Sequence, residues 1–125
     1  MKLAGFIGTG KMGGALARAV AENVGGDEIL LFDADNKKAD SLAEEIGAQS
    51  VSLEYLLENS KFIFLGVKPQ VIENVLKEIK GEFEFSTVIV SMAAGVSIEK
   101  LEKTLGKAKI IRIMPNIPVE VREGM

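Results

Sequence analysis

Apolar positions along the chain fall into two alternating rhythms. Short, nearly continuous apolar runs occur at Lys2 to Ile7, Glu28 to Phe32, Phe62 to Val67, Thr87 to Ser91 and Lys109 to Met114. These read as strands, and the continuous ones as strands covered on both faces. Between them the apolar residues recur at helical spacing. Met12, Leu16, Ala19 and Val20 mark a helix over Lys11 to Asn23, and Leu42, Ala43 and Ile46 mark one over Asn36 to Ile46. Leu53, Leu56 and Leu57 belong to a helix ending near Asn59, and Gln49 to Val51 form a short third strand ahead of it. Pro69 suits the first turn of a helix whose stripe Val71, Val75 and Ile79 is read as core, together with Ile72 and Leu76; Ile98 to Leu105 is the last helix. Gly25-Gly26 and Gly47 stand where helices must stop.

Strands alternating with helices are the signature of βα units on a parallel sheet. Six strands predict an α/β, doubly wound, three-layer α/β/α arrangement in the order 3-2-1-4-5-6, with right-handed crossovers placing helices on both faces. Ligands bind such sheets at the carboxyl ends of the strands, near the switch between the first and fourth. The segments following strands one, four, five and six are Gly8 to Gly13, Val67-Lys68-Pro69-Gln70, Met92-Ala93-Ala94-Gly95 and Pro115-Asn116-Ile117-Pro118.

The first of these carries a GxGxxG spacing. Gly8 permits the tight turn, Gly10 lets backbone approach a pyrophosphate, and Gly13 lets the helix pack closely. A helix beginning near Lys11 aims its unpaired N–H groups and positive dipole end at the same place. Alone, such a loop is also a common packing turn. Here it follows a strand, opens a helix, and has Asp33 about 20 residues on at the end of the next strand, which is the Rossmann dinucleotide fingerprint. The alternative for Asp33 is a strand terminus that helps start the next helix.

Composition narrows the chemistry. At 125 residues the chain fits one domain, 1–125, large enough to fold without staples. Lys and Arg number 15 against 18 Asp and Glu, interspersed, for a net charge of −3, which argues against nucleic acid or an anionic membrane as partner. There is no Cys and no His, so thiolate metal sites are excluded and the usual neutral-pH base is missing. No metal site is expected, and no catalytic acid is assigned. No apolar run approaches the roughly 20 residues that span a bilayer, and no secretory signal opens the chain, so the expected compartment is the cytoplasm.

Four segments, GFIGTGKMG from Gly5, VKPQ from Val67, SMAAGV from Ser91 and RIMPNIP from Arg112 with Gly124 following, resemble pyrroline-5-carboxylate reductase over the whole chain. The resemblance implies an amino-terminal Rossmann domain binding NAD(P)H, with the family's helical dimerisation and substrate domain absent from this chain. It implies that Gly8, Thr9, Gly10, Lys11 and Met12 touch the pyrophosphate and adjoining ribose. Val67, Lys68 and Pro69 would line the cofactor beyond the switch point, and Met92, Ala93, Ala94 and Gly95 would lie near the nicotinamide. Asn116 would sit where cofactor meets substrate. The implied partner is a small cyclic imine, reduced by hydride to proline, and a homo-oligomer is implied for the full-length protein only.

Two departures bear on this. Asp33 stands where NADPH-using members tend to carry a small hydroxyl residue; its carboxylate accepts from both ribose hydroxyls and repels a 2′-phosphate, a lean to NADH. Lys37 and Lys38 are the counterweight, since either can neutralise a phosphate. Ile117 replaces the Thr of the family's MPNTP motif. Plainer readings stand beside the functional ones. Lys68 also fits a solvated residue held extended before Pro69, Ala93-Ala94-Gly95 a tight exit from the sheet, and Met114 a gap-filler under the site. Arg112 suits either an anion or a neighbouring carboxylate, and Glu120, Arg122 and Glu123 read as exposed tail. Rival functions are a Rossmann dehydrogenase of the β-hydroxyacid or prephenate type and a non-catalytic nucleotide-binding module. A methyltransferase loop usually lacks the third glycine, so Gly13 disfavours it.

Overall fold

The computed structural model describes residues 1–84, 86–106 and 108–114. Six parallel strands, β1 (Lys2–Ile7), β2 (Ile29–Phe32), β3 (Gln49–Ser50), β4 (Ser60–Leu65), β5 (Val88–Ser91) and β6 (Lys109–Arg112), form one sheet in the order β3-β2-β1-β4-β5-β6. The connecting helices are α1 (Lys11–Val24), α2 (Asn36–Ile46), α3 (Leu53–Asn59), α4 (Pro69–Ile79) and α5 (Ile98–Leu105). This is the doubly wound order expected from the sequence.

Strand alternation divides the interior into two cores. Phe6, Ile29 and Leu31 face α1 and α2, packing on Ala17, Ala39 and Leu42. Ile7, Leu30, Ile63 and Leu65 face the opposite layer and meet Leu56, Ile72, Leu76 and Leu101 of α3, α4 and α5. Phe6 and Phe64, on neighbouring strands, stack at 4.6 Å between ring centroids under the first layer. Burying both faces of the central strands explains why their sequences are almost purely apolar.

Three sequence expectations are corrected. The inward face of α1 is Gly13, Gly14 and Ala17; Met12 is 39% exposed and Ala19 is exposed. The helix lies so close that small residues take the innermost face, while Leu16 and Val20 of the expected stripe pack against the core from its flank. Strand β4 begins two residues early, because Ser60 pairs with Lys2 despite its polar side chain. That hydroxyl is buried where a Cβ on Gly5 would collide with it. Finally, the core face of α4 is Ile72, Leu76 and Ile79, while Val71 is 44% exposed.

Helix ends follow local chemistry. Asp35, Ser52 and Ser97 cap α2, α3 and α5 by accepting from the N–H groups of Lys37, Tyr55 and Lys100, and Pro69 opens α4. Gly47 closes α2 in the left-handed conformation.

Candidate functional site

The carboxyl ends of the central strands are stitched together by backbone hydrogen bonds just beyond the ladders. Gly8 N donates to Phe32 O and Gly66 N to Ile7 O, each at 2.8 Å, and Met92 N donates to Leu65 O at 3.1 Å. These bonds hold the loops after β1, β4 and β5 side by side at the switch between β1 and β4.

Gly8 adopts φ +96°, which only glycine takes without strain, and a Cβ there would press on the Gly66 backbone. A Cβ on Gly13 would overlap the Gly8 carbonyl oxygen. Gly8, Gly13 and Gly66 therefore form one close-packed knot between loop, helix and β4. Gly10 differs: a Cβ on it would meet nothing within 4 Å. It is the N-cap of α1, no side chain caps that helix, and no acidic residue sits in its first turn. The first-turn N–H groups and the positive end of the dipole are thus directed at a cleft where an anion gains most.

Asp33 follows β2 directly. Its Oδ2 accepts from Thr9 N at 2.7 Å and Thr9 Oγ1 at 2.8 Å, and its Oδ1 accepts from Asp35 N at 2.8 Å. Partial burial acts to raise its pKa. The N–H groups of Asp35 and Thr9, the Thr9 hydroxyl and the charge of Lys38 outweigh that and hold it below the usual carboxylate range. The group is ionised at neutral pH, with Oδ1 still able to accept.

Two cavities flank this loop. One, of about 380 Å³, holds Gly8 and Asp33 at one side and Leu53, Val71 and Val75 at the other. The second, of about 560 Å³, is lined by Lys11, Met12, Pro69, Met92, Ala93 and Met114, among others. Gly10, Lys38, Gly66, Val67 and Lys68 line both, so the cavities meet at a waist beside the start of α1. Both cavities are walled largely by apolar groups and share Lys38 and Lys68; the first adds Asp33 and Glu78, the second Lys11.

Of the residues singled out in the sequence, Gly8, Gly10, Asp33, Val67 and Lys68 line the first cavity. Lys11, Met12, Pro69, Met92, Ala93 and Ala94 line the second, again with Gly10, Val67 and Lys68. Thr9 is turned to Asp33, and Gly13 lies in the knot behind the loop. Gly95 turns the chain at φ +77° without lining either cavity, and Asn116 lies outside the described residues. Sequence reasoning missed Gly66, Leu53 and the outward face of α4. The signal for that face was present: Val71, Asn74, Val75 and Glu78 follow helical spacing as strictly as the core stripe. Among the described residues, no group of three or more His, Cys, Asp or Glu is placed to hold a metal ion, and no helix is long and apolar enough to cross a membrane.

A doubly wound parallel sheet with a glycine loop, an uncapped helix start and an acidic residue after β2 defines a Rossmann domain. Residues 4–95 match the family described as NADP oxidoreductase, coenzyme F420-dependent, and the chain belongs to that family. It is 39% identical to the pyrroline-5-carboxylate reductase of Aquifex aeolicus over 123 residues, covering 97% of this chain and 45% of the relative. Among solved structures, the pyrroline-5-carboxylate reductase of Coxiella burnetii superposes with a TM-score of 0.87 at 30% identity, covering 97% of this chain and 46% of that one. Pyrroline carboxylate reductase of Plasmodium falciparum, solved with NADP bound, superposes at 0.77 and 30% identity, over 96% and 44% of the two chains. The chain thus spans less than half the length of these relatives.

Proposed function

We propose that this chain is the NAD(P)H-binding domain of a pyrroline-5-carboxylate reductase, orienting the cofactor for hydride transfer to the C=N bond of 1-pyrroline-5-carboxylate to give proline. The observation that carries the reading is the pair of adjoining cavities that share Gly10, Lys38 and Lys68 in their lining, beside the uncapped start of α1. A dinucleotide has the same plan: two ring systems joined by a dianionic diphosphate. The similarity to reductases along nearly the full chain supplies the reaction.

In this reading Gly8, Thr9, Gly10, Lys11 and Met12 form the diphosphate loop, with Gly13 permitting its approach to β4. Asp33 takes the adenosine ribose. Val67, Lys68 and Pro69 border the cofactor, Met92, Ala93, Ala94 and Gly95 lie on the nicotinamide side, and Asn116 belongs with the substrate. The cofactor carries the hydride chemistry when bound; this chain's residues supply position and a cavity wall that excludes water. The described lining on the nicotinamide side offers lysines, thioethers and small apolar groups, with no carboxylic acid or hydroxyl. The proton for the product amine therefore comes from water or from the helical substrate domain of a longer, homo-oligomeric cytoplasmic enzyme.

We assign NADH as the preferred form. A 2′-phosphate beside Asp33 would meet an ionised carboxylate already fixed by three hydrogen bonds, with Lys38 as the nearby charge acting against that repulsion. The test of function is turnover. This chain, fused to the portion of the Aquifex aeolicus relative beyond the match, should oxidise NADH in the presence of 1-pyrroline-5-carboxylate, while the chain alone binds NADH without turnover. A fusion that binds NADH and imine yet transfers no hydride would contradict it.

A further inference from the structure

We propose that Asn74 selects the base of the dinucleotide, its carboxamide hydrogen-bonding the N6 and N7 edge of adenine in the cavity beside Asp33. The inference rests on the dinucleotide reading above and names the group that reads its adenine half.

Helix α4 presents two faces of different character. Ile72, Leu76 and Ile79 enter the core, whereas Val71, Asn74, Val75 and Glu78, at spacings of three and four, all line the cavity that holds Asp33. Phe32 and Leu53 contribute further apolar lining to the same cavity. A purine is a flat apolar disc with a polar rim, so it needs apolar walls and an in-plane partner for that rim. Val71 and Val75 line the same cavity as Asn74 and supply apolar wall beside it. An Asn carboxamide pairs one donor and one acceptor at the spacing of adenine N7 and the N6 amine, the bidentate match by which Asn reads adenine.

Asn23 and Asn59 donate their side-chain amides to carbonyls one turn back, Ala19 O and Tyr55 O, each at 2.9 Å. Asn74 has no such bond among the described residues, so its amide is uncommitted. Asn is also a weaker helix former than Ala, and its place inside α4 is not explained by helix stability. Glu78, one turn on, would offer as a carboxylate only acceptor oxygens, which cannot pair with N7.

The experiment is a calorimetric titration of the chain and of Asn74→Ala with NADH and with its hypoxanthine analogue, in which a carbonyl replaces the N6 amine. The wild-type chain should favour NADH by about tenfold, and Asn74→Ala should reduce that preference to about twofold or less. Melting of the variant should be unchanged or higher, since the side chain is exposed and Ala favours helix. Equal binding of the two dinucleotides by the wild-type chain, or a preference that survives in Asn74→Ala, overturns the assignment and leaves the dinucleotide site standing. Binding of neither overturns the dinucleotide reading itself, and the base assignment with it.

Discussion

Thr9 grips Asp33 twice, through its N–H at 2.7 Å and its hydroxyl at 2.8 Å, both on the same carboxylate oxygen. The residue expected to meet the ribose is therefore also the clasp that fixes the glycine loop, and ligand recognition and loop order share one carboxylate. Thr9→Val keeps the N–H bond and deletes the hydroxyl. It should cost about 1 kcal/mol in denaturant unfolding and weaken cofactor binding by a similar factor, measured on the same preparation.

The lowered pKa of Asp33 sets a pH window. Its folded value lies below the ordinary carboxylate value of about 4, so its contribution is fully present above that value and is lost as pH falls through the folded pKa. The stability difference between wild type and Asp33→Asn should be flat from neutral pH down to about pH 5 and shrink on further acidification. A difference that instead shrinks as the pH is raised above neutrality would contradict the hydrogen-bonded carboxylate.

Two glycines of the loop should fail in different ways. A methyl on Gly13 collides with the Gly8 carbonyl, so Gly13→Ala should lose about 3 kcal/mol of stability and, with it, binding. A methyl on Gly10 meets no protein atom and its φ of −74° suits any residue, so Gly10→Ala should melt as the wild type does. Its affinity for NADH should nonetheless fall by about tenfold or more, because the backbone can no longer approach the diphosphate. Thermal melts beside titrations separate the two effects.

Adjacent residues of α4 divide the same way. Ile72→Ala empties a fully buried site and should cost about 2–5 kcal/mol. Val71→Ala, at a half-exposed position on the cavity wall, should cost under about 1 kcal/mol yet weaken NADH binding measurably. Equal losses of stability would place Val71 in the core after all.

The architecture was legible because each central strand is apolar on both faces and each connection is marked by Gly, Pro or a capping side chain. Those are local signals, and the order β3-β2-β1-β4-β5-β6 follows from them with the crossover rule. What escaped the sequence was nonlocal. Ser60 looks like a loop residue until its pairing with Lys2 is seen, and the small face of α1 is a packing requirement set by Gly8 and Gly66. On α4 an apolar stripe at Val71, Val75 and Ile79 suggested core; Ile79 is fully buried and Val75 packs against the core, but helical spacing alone could not show that Val71, one turn earlier, stays exposed. Asp33 was singled out as the candidate ribose partner from its distance in sequence, while its bonds to Thr9 depend on the register of β1 against β2. The expected Asn116 contact lies outside the described residues.

The most direct measurement is a calorimetric titration of the chain with NADH and, separately, NADPH, repeated on Asp33→Ser. Binding of NADH at least about tenfold tighter than NADPH, with that preference narrowed or reversed in Asp33→Ser, is the predicted result. Tighter binding of NADPH by the wild-type chain, unmoved by Asp33→Ser, would contradict the role given to Asp33, and no binding of either would contradict the cleft as a dinucleotide site.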